Sequence, residues 1–301
     1  MMPVSQSPAF KGVLLIDEPM TKHTSWRIGG AVDQFYTPTD IDDLIVFMRQ
    51  MPTHEACLFL GLGSNILIRD KGFRGTVISL KGCLNHIDVI NENGLRIGAG
   101  TSCAKLARYC HRNNLMGGEF FAGIPGLLGG ALAMNAGAFG AETWPLVKSV
   151  MTINSQGVVY SRTGDDYEIN YRSVKGHPQE WFIGADLQFE VGDGSAAALR
   201  VNKLMQQRAE SQPIGLPSCG SVFKNPENDH AARLIDVCGL KGVSIGGAVV
   251  SEKHANFIIN FKNASATDVE SLITYVQKVV KKEQNIELHT EVKIIGEKDN
   301  E

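Results

Sequence analysis

Several features that mark common protein classes are absent from this sequence. Its six cysteines form no C-x-x-C pair and show no zinc-ligand spacing. They are typical of reduced thiols packed as small apolar side chains, and we expect no metal site. The N-terminal residues lack a charged segment followed by a long apolar run, and no later stretch reaches the length of a membrane span. We therefore expect a protein of a reducing, cytosolic compartment without membrane insertion.

A strong charge of either sign is also absent. The formal net charge is −3 and the pI is near 6.3, which weighs against a general nucleic-acid or membrane-surface binder but is compatible with a locally basic pocket. With 301 residues, 43% of them hydrophobic, the chain is long enough for two or three domains with substantial cores.

Glycine, by contrast, is concentrated in one stretch, Gly117 to Gly140, which reads GGEFFAGIPGLLGGALAMNAGAFG. Because glycine weakens helices and strands, such a cluster needs a reason. One reason is a bare backbone that approaches a phosphate, and another is a tightly packed helix bend or a mobile loop. The order of the glycines fits neither a P-loop nor a G-x-G-x-x-G fingerprint. The residues alone leave both interpretations open.

A second glycine turn, Gly61 to Asn65 (GLGSN), lies between two short apolar segments that predict strands. Such a turn either exposes several N–H groups to a ligand or is an ordinary Gly/Asn connection, and the ordinary connection is the commoner case. Taken alone, the turn does not decide between these interpretations.

Apolar spacing and cap signals predict the regular elements. One helix is predicted to start with Thr39 as its N-cap and Asp42 three residues on, and the clearest helix is Thr267 to Glu283 with a Thr267/Glu270 capping box. The other predicted helices are residues 102–114, 196–210 and 231–237. The predicted strands are residues 57–60, 66–68, 76–80, 87–90, 95–97, 150–153, 158–160, 181–191, 243–250, 255–260 and 286–295.

A few side chains are candidates for chemistry. Ser221 lies in CGSVF, which is not a G-x-S-x-G elbow, but a hydroxyl can deliver a proton to a strongly basic carbanion. Cys219 has no neighbour that lowers the pKa of its thiol, so it is interpreted as packing. Arg172 is either a solvated charge or a ligand for a carboxylate or phosphate. Glu291 is interpreted by default as a surface carboxylate, and His254 as a structural residue.

The order and spacing of eight motifs resemble the UDP-N-acetylenolpyruvoylglucosamine reductase family over nearly the whole chain. The motifs are TSWRIGGA (24–31), GLGSNILI (61–68), GAGT (98–101), FAGIPGLLGGALAMNAGAFG (121–140), YRSV (171–174), PSCGSVFKNP (217–226), HANFIIN (254–260) and LHTEVKIIG (288–296). Each motif is weak alone, but the ordered set is specific.

The resemblance implies an α+β fold. It consists of a vanillyl-alcohol-oxidase/PCMH-type FAD-binding fold with two subdomains and a C-terminal α+β substrate-binding domain. The corresponding boundaries are residues 1–82 for the first FAD-binding subdomain, 83–206 for the second and 207–301 for the substrate-binding domain. The last strand, about 290–301, is a candidate to complete the first subdomain.

The resemblance also implies an activity. The family reduces UDP-N-acetylglucosamine enolpyruvate to UDP-N-acetylmuramate for bacterial peptidoglycan, with NADPH as co-substrate and FAD as the hydride carrier. Neither glycine segment contains the histidine to which covalent relatives attach FAD, so we expect non-covalent FAD. We further expect a monomeric cytoplasmic enzyme whose partners are small molecules.

The resemblance carries over site residues position by position. Backbone of the two glycine segments is expected to hold the FAD pyrophosphate, because bare N–H groups approach a dianion without a lysine or metal. The implied FAD contacts are Arg27, Gly61, Gly63, Ser64, Asn65, Ile66, Gly100, Thr101, Gly123, Ile124, Pro125, Gly126, Gly129, Gly130, Asn135, Gly137 and Ala138.

The implied catalytic residues are Ser221 as proton donor, with Arg172 and Glu291 beside the substrate carboxylate. A carboxylate such as Glu291 helps there only if it is protonated or shares a hydrogen bond. Lys224 and Asn225 match contacts to the nucleotide diphosphate, and Arg208 is a further candidate for the same task.

One departure limits the transfer. Part of the family carries a tyrosine-bearing loop in the substrate half, but this chain passes from Val191 almost directly into the helix near Ala196. We therefore expect the shorter, loop-lacking type, in which the tyrosine lid does not carry over.

Two other functions remain compatible with parts of the sequence. A flavin oxidase or dehydrogenase of the same superfamily would explain the glycine-rich stretch, but not GSVFKNP and LHTEVKIIG, which belong to the reductase's substrate domain. A nucleotide-binding regulatory domain would not need Ser221, Arg172 and Glu291, all of which are present.

Overall fold

The computed structural model describes residues 10–298, so the outermost ends of the first and last predicted domains lie outside the described residues. The helices are α1 (Ile41–Gln50), α2 (Cys103–Arg112), α3 (Leu128–Ala133), α4 (Gly194–Ser211), α5 (Ala231–Val237) and α6 (Ala266–Gln284). Short 3-10 turns occur at Met20–Lys22, Glu119–Gly123, Trp144–Leu146 and Gly164–Asp166.

The strands are distributed along the whole described chain. In order, they are β1 (Val13–Pro19), β2 (Ala31–Thr37), β3 (Cys57–Leu60), β4 (Ile66–Ile68), β5 (Phe73–Ser79), β6 (Ile87–Val89), β7 (Gly94–Gly98), β8 (Leu115–Met116), β9 (Gly137–Ala138), β10 (Ala141–Glu142), β11 (Val147–Asn154), β12 (Val159–Arg162), β13 (Glu168–Asn170), β14 (Ser173–Lys175), β15 (Glu180–Gln188), β16 (Glu190–Val191), β17 (Ser244–Ile245), β18 (Ala248–Val250), β19 (Ile258–Asn260) and β20 (Lys293–Ile295). Helices and strands thus mix along the chain, as the α+β prediction requires.

The chain divides into two units that interleave in sequence. The first unit comprises Met1–Leu15, Gln34–Gly61 and Gly75–Ser195, and the second comprises Ile16–Asp33, Leu62–Arg74 and Ala196–Glu301. The three domains inferred from the sequence, with their boundaries, stay a prediction.

The first unit contains the glycine-rich stretch. A five-stranded antiparallel sheet, ordered β12-β11-β15-β7-β6, supports α2 and α3. Leu106 of α2, Leu128 and Leu132 of α3, and Leu187 of β15 share one buried core. A second core forms around Leu44 of α1 and includes residues of β2, β5 and β15, while β3 and β5 pair in parallel. Both cores are apolar because each helix buries one stripe of its surface.

The second unit is organised around α6. Val269, Ile273 and Val276 on its inner face share a core with Val250 and Ile258 of the sheet β17-β18-β19. The N-terminal segment enters this core through a fully buried tryptophan, whose indole N–H donates to the carbonyl of Ile258 at 2.7 Å. The last strand, β20, pairs in parallel with β4, directly after the GLGSN turn.

The two predicted N-caps, Thr39 and Thr267, are wrong by one and two residues. The N-cap of α1 is Asp40, whose carboxylate accepts the N–H of Asp43 at 2.8 Å, while Thr39 instead donates to the carboxylate of Asp43. In α6 the capping box is Ser265 with Asp268. In α1, Asp40 takes the cap position in place of its neighbour Thr39, because both residue types cap helices well.

The residues of the expected box in α6 have other partners. The N–H and hydroxyl of Thr267 donate to Asp70 at 2.8 and 2.6 Å, and Glu270 forms a two-pronged pair with Arg69. Arg69 and Asp70 directly follow β4 and therefore fasten α6 to that strand. Such long-range partners leave no local sequence signal, which is why the cap was misplaced.

Three predicted strands are shorter than expected. Of residues 255–260, only Ile258–Asn260 is a strand. Residues 243–250 form the hairpin β17-β18 with a turn at Gly246 and Gly247, where a Cβ on Gly247 would lie 2.4 Å from the carbonyl oxygen of Lys262. Of residues 286–295, only Lys293–Ile295 is a strand. The preceding residues 289–291 run alongside residues 222–224 instead, with Phe223 and Thr290 forming an isolated antiparallel bridge.

Candidate active site

The predicted site residues fall in both units, and each group is described within its own unit. The first unit carries Gly61, Gly100, Thr101, Gly123, Ile124, Pro125, Gly126, Gly129, Gly130, Asn135, Gly137, Ala138 and Arg172. The second carries Arg27, Gly63, Ser64, Asn65, Ile66, Arg208, Ser221, Lys224, Asn225 and Glu291.

Packing within the protein explains some of the glycines of the glycine-rich stretch. A Cβ on Gly137 would lie 2.3 Å from the carbonyl oxygen of Ala141, and one on Gly123 would lie 2.6 Å from the ring of Phe139. A Cβ on Gly129 would approach the Cβ of Ala99 to 3.0 Å. At these positions a larger residue would disturb the fold itself.

Two predicted cofactor contacts are not explained in that way. Apart from its chain neighbours and the backbone of its own helix, no atom of the described residues lies within 4 Å of a Cβ built at Gly130. A Cβ at Gly61 would make only ordinary contact with Leu127, at 3.4 Å or more. Gly130 lies inside α3, where alanine is the better helix former. A partner outside the chain, such as a phosphate approaching the bare backbone, accounts for glycine there. These residues therefore fit an FAD site.

The segment that follows β7 fixes the start of α3. The carbonyls of Ala99 and Thr101 accept the N–H groups of Gly129 and Leu128, each at 2.9 Å. The buried hydroxyl of Thr101 donates to the carbonyl of His86 at 3.1 Å. Thr101 therefore acts on the glycine-rich helix through the backbone, and its direct contact with FAD stays a prediction.

Arg172 is directed at the glycine-rich backbone. It follows Tyr171 in the two-residue turn between β13 and β14, at a left-handed φ of 51°. Its guanidinium donates to the carbonyls of Asn135 at 3.3 Å and Gly137 at 2.6 Å, and lies 5.2 Å from the centre of the Tyr171 ring. The guanidinium therefore has a set orientation, which its interpretation as a solvated charge does not explain.

Asn135, between those carbonyls, is itself fixed. Its side chain is buried, donates to Glu142 at 2.8 Å and accepts the N–H of Trp144 at 3.1 Å. Its φ of 45° is in the left-handed region, where asparagine is the most tolerant ordinary residue. Glu142 was not expected from the sequence, because a glutamate after a glycine turn carries no distinctive pattern.

In the second unit, the GLGSN turn packs against the turn that carries Arg27. The N–H of Ser25 donates to the carbonyl of Gly63 at 3.0 Å, and a Cβ on Gly63 would lie 2.1 Å from the carbonyl oxygen of His23. Arg27 is exposed at the end of that turn, with its N–H bonded to the carbonyl of Thr24 at 3.0 Å. Two predicted FAD-binding segments are thus brought together.

The predicted proton donor lies on a segment that pairs with the segment of Glu291. The N–H of Glu291 donates to the carbonyl of Val222 at 2.8 Å, and the N–H of Lys224 donates to the carbonyl of His289 at 2.9 Å. Phe223 and Thr290 form the antiparallel bridge between these bonds. Ser221 and Glu291, seventy positions apart in the chain, are therefore held on adjoining backbones.

The same backbone is tied to the GLGSN turn. The side-chain amide of Asn65 donates to the carbonyl of Glu291 at 3.2 Å. The main-chain carbonyl of Asn65 accepts the N–H of Lys293 at 3.1 Å. The backbone of Glu291 is thus fixed from two sides, by Val222 and by Asn65. This connection between a predicted cofactor turn and a predicted catalytic residue had no local sequence signal.

The charged groups of the second unit differ in their surroundings. Burial lowers the pKa of Arg208, whose Nε donates to Gln212 at 2.8 Å. The ammonium of Lys224 makes no hydrogen bond or ion pair within residues 10–298. The side-chain oxygen of Asn225 accepts the N–H of Ala231 at the start of α5 at 3.1 Å. Contact of these three residues with a diphosphate stays a prediction.

Two residues interpreted as structural remain so. Cys219 is buried, and burial together with the charge of Glu291 raises the pKa of its thiol well above the ordinary value. A thiol with a raised pKa is a poor nucleophile at neutral pH. Burial lowers the pKa of His254, whose ring packs edge-on against Phe257 with centroids 4.7 Å apart.

Other expectations concern what is absent. Among residues 10–298, no group of three or more His, Cys, Asp or Glu side chains is arranged to hold a metal ion. No helix in the described part of the chain is long and apolar enough to cross a membrane. Only Gly192 and Asp193 separate β16 from α4, which leaves no room for a tyrosine-bearing insertion at that point.

Two segments of the chain match known protein families, and together they define its class. Residues 32–161 match a family model described as an FAD binding domain, and residues 212–295 match one described as the C-terminal domain of UDP-N-acetylenolpyruvoylglucosamine reductase. The chain is an FAD-dependent oxidoreductase with an FAD-binding domain followed by the C-terminal domain of this reductase, which confirms the predicted cofactor and fold class.

Whole-chain relatives specify the family. A UDP-N-acetylenolpyruvoylglucosamine reductase from Legionella pneumophila (strain Corby) is 52% identical over 288 residues, 95% of this chain and 94% of the relative. One from Methylococcus capsulatus (strain ATCC 33009 / NCIMB 11132 / Bath) is 49% identical over 287 residues, 95% of this chain and 94% of the relative. The solved UDP-N-acetylenolpyruvylglucosamine reductase of Thermus caldophilus matches with a TM-score of 0.80 at 28% identity, covering 94% of this chain and 98% of that one. The chain belongs to the UDP-N-acetylenolpyruvoylglucosamine reductase family.

Proposed function

We propose that this enzyme reduces the enolpyruvyl group of UDP-N-acetylglucosamine enolpyruvate to form UDP-N-acetylmuramate, with NADPH as the reductant, for bacterial peptidoglycan synthesis. Family membership supports the reaction. The observation that carries the assignment within this chain is the pairing of the Ser221 segment with the Glu291 segment. It brings a hydroxyl and a carboxylate onto neighbouring backbones, next to the GLGSN turn.

Bound, non-covalent FAD would supply the hydride that adds to the vinyl carbon of the substrate. The bare backbone at Gly61 and Gly130, together with the turn at Gly63 to Asn65, would hold its pyrophosphate. The protein's part is then to bind, orient and protonate the substrate.

After hydride addition, the substrate carbon next to the carboxylate carries negative charge. We propose that the hydroxyl of Ser221 gives its proton to that carbon and later recovers a proton from solvent, so that the net change is addition of one hydride and one proton. A carbanion is basic enough to take a proton from serine without a histidine relay. This role fits the CGSVF context, which is not that of an acyl-transfer nucleophile.

Negative charge that spreads onto the substrate carboxylate needs compensation. We assign Arg172 to that task because its guanidinium is already oriented by two carbonyls. Glu291 would contribute a hydrogen bond to the same group of atoms. Lys224, with Asn225 and Arg208, is proposed to bind the diphosphate, and the enzyme is proposed to act as a monomer in the cytoplasm.

The proposed reaction is tested by anaerobic titration of the purified FAD-loaded protein. NADPH should bleach the flavin absorbance faster than NADH does. The enolpyruvyl sugar nucleotide should restore the absorbance, while alcohols and other small acceptors should not. A protein that takes up no FAD, or one whose flavin is reoxidised equally by unrelated acceptors, would contradict the assignment.

A further inference from the structure

A buried asparagine braces the segment that carries Ser221. The side-chain oxygen of Asn256 accepts the N–H of Phe223 at 2.9 Å, and its side-chain nitrogen donates to the carbonyl of the same residue at 2.8 Å. Asn256 is only 3% exposed. Its amide group therefore pairs with Phe223 in the way a peptide group of a neighbouring strand would.

The other edge of this segment is already occupied. The carbonyl of Val222 accepts the N–H of Glu291, and the N–H of Lys224 donates to the carbonyl of His289. Both backbone groups of Phe223 bond instead to the side chain of Asn256. The main-chain carbonyl of Asn256 also accepts the N–H of Val222 at 2.9 Å. Hydrogen bonds thus hold both edges of the backbone directly after Ser221, and Asn256 provides all of those on one edge.

We propose that Asn256 is a positioning residue for Ser221, setting the place from which the serine hydroxyl delivers its proton. The inference rests on the proposed function of Ser221. Asn256 acts through the backbone of Val222 and Phe223 and is not assigned any contact with the substrate. Asn256 lies in the HANFIIN motif (254–260), and the motif alone indicates no role for its side chain.

The physical basis is the cost of unpaired groups. Without the amide, the N–H and carbonyl of the buried Phe223 lose their partners, and a shift of the segment is the way to recover some. Proton delivery depends strongly on geometry, and a displacement of about 1 Å can slow such a step on the order of 100-fold. A shift at Ser221 should therefore affect protonation more than it affects reaction with NADPH.

The same motif offers a matched control. The side chain of Asn260 also bonds two backbone groups, accepting from the N–H of Ala264 at 2.8 Å and donating to the carbonyl of Trp26 at 3.0 Å. Neither group lies on the Ser221 segment. Replacing Asn260 removes a comparable pair of hydrogen bonds without touching the brace.

The experiment compares Asn256→Ala and Asn256→Asp with Asn260→Ala and Asn260→Asp as FAD-loaded enzymes. Rapid mixing measures flavin reduction by NADPH and flavin reoxidation by the enolpyruvyl sugar nucleotide separately, each in H₂O and D₂O. We expect both Asn256 variants to slow reoxidation at least about tenfold, to raise its solvent isotope effect, and to leave reduction by NADPH unchanged. The Asn260 variants should lose thermal stability while keeping the ratio of the two rates.

Asn256→Asp adds a test that a purely structural role would not pass. An aspartate retains the acceptor for the N–H of Phe223, and when protonated it also regains a donor for the carbonyl. Lowering the pH should therefore partly restore the reoxidation rate of this variant relative to the starting enzyme. Because the aspartate keeps the shape of asparagine, it also serves if Asn256→Ala does not fold.

Equal slowing of both half-reactions, or the same rate ratio in the Asn256 and Asn260 variants, would overturn the role of Asn256. Ser221→Ala, measured in the same way, separates this result from a failure of the underlying proposal. If Ser221→Ala does not slow reoxidation selectively, the proposed function of Ser221 itself fails. If it does and the Asn256 variants do not, only the positioning role is wrong.

Discussion

The glycine-rich stretch and the Ser221 segment differ in which part of the chain is expected to act. In the glycine-rich stretch it is the exposed backbone, and in the Ser221 segment it is one side chain. In the first, glycines leave the backbone open to approach, as at Gly130, where only its chain neighbours and the backbone of its own helix come within 4 Å of the position that a Cβ would take, among the described residues. In the second, the backbone directly after Ser221 is hydrogen-bonded on both edges, through Val222, Phe223 and Lys224. Added atoms should damage the first region, and lost hydrogen bonds should damage the second.

Arg172 is expected to act through its side chain, although that side chain contacts the glycine-rich stretch. Replacing Arg172 with Ala should lower kcat/KM on the order of 100-fold, because hydrogen bonds to charged groups contribute about 1.5–3 kcal/mol. Arg172→Lys should recover only part of this, since lysine lacks the planar fork that reaches both carbonyls.

Arg162 is the matched control for this test. It also forms a two-pronged interaction in the first unit, with Glu180, at 2.7 and 3.2 Å. Arg162→Ala should leave steady-state kinetics intact. If the two substitutions had equal effects on kcat/KM, Arg172 would be a structural arginine.

The adjacent glycines Gly129 and Gly130 test whether the exposed backbone of α3 binds FAD, because a Cβ would meet Ala99 at Gly129 but not at Gly130. Gly130→Ala should stabilise the FAD-free protein by about 0.5–1 kcal/mol through helix propensity, yet weaken FAD binding by roughly tenfold. Gly129→Ala should destabilise the FAD-free protein, because its methyl would crowd Ala99. Urea unfolding and FAD titration by fluorescence measure the two quantities.

A stabilised Gly130→Ala protein with unchanged FAD affinity would show that no ligand approaches this position. The claim that the exposed backbone of α3 binds FAD would then be wrong, and the glycine-rich stretch would be better interpreted as a packing feature.

Asp268 belongs to the capping box of α6, the helix whose inner face shares a core with Val222 and Phe223. Replacing it tests the stability of that packing without changing a candidate site residue. N–H groups of Gly247 and Ser265 hold the pKa of its carboxyl below the ordinary value. A depressed folded pKa stabilises the protein above the unfolded pKa of about 3.9, and the contribution is lost as the pH falls through the folded pKa. Asp268→Asn should cost about 1 kcal/mol at pH 7, as loss of a helix cap does.

The same substitution should make the acid limb of the stability curve less steep below about pH 4, without changing the kinetics. Chemical unfolding from pH 2 to pH 7 provides the measurement. An unchanged acid limb would mean that the capping box does not contribute through its charge.

Cys219→Ser should have the smallest effect. The thiol is two residues from Ser221, but its raised pKa keeps it protonated and unreactive at neutral pH. Neither half-reaction should change, and thiol reagents should not modify Cys219 in the folded enzyme. Loss of reoxidation in this variant would make Cys219 a competitor of Ser221 for the role of proton donor.

The sequence predicted the class of fold and the cofactor because those depend on local patterns and motif order. Helix α5 was predicted with its actual bounds, and α2 to within two residues, since their apolar stripes and caps are local. The caps of α1 and α6 were misplaced where two good capping residues lay close together or where Asp70 supplied a distant partner.

Motifs name the residues of the candidate site, whose roles stay a prediction, but the motifs do not give the arrangement of those residues. Ser221, Glu291 and Asn65 were all named from motifs, yet nothing in the sequence places the carbonyl of Glu291 on the amide of Asn65 or the carbonyl of Val222 on the N–H of Glu291. These contacts join residues far apart in the chain, and only the folded backbone brings them together. The brace by Asn256 was missed for the same reason.

The most direct test of the account is the pair of half-reactions in Ser221→Ala. Flavin reduction by NADPH should proceed as in the starting enzyme, while reoxidation by the enolpyruvyl sugar nucleotide should slow by about 100-fold or more, the usual contribution of a general acid. Equal slowing of both half-reactions, or no slowing of either, would contradict the assignment of Ser221 as the proton donor.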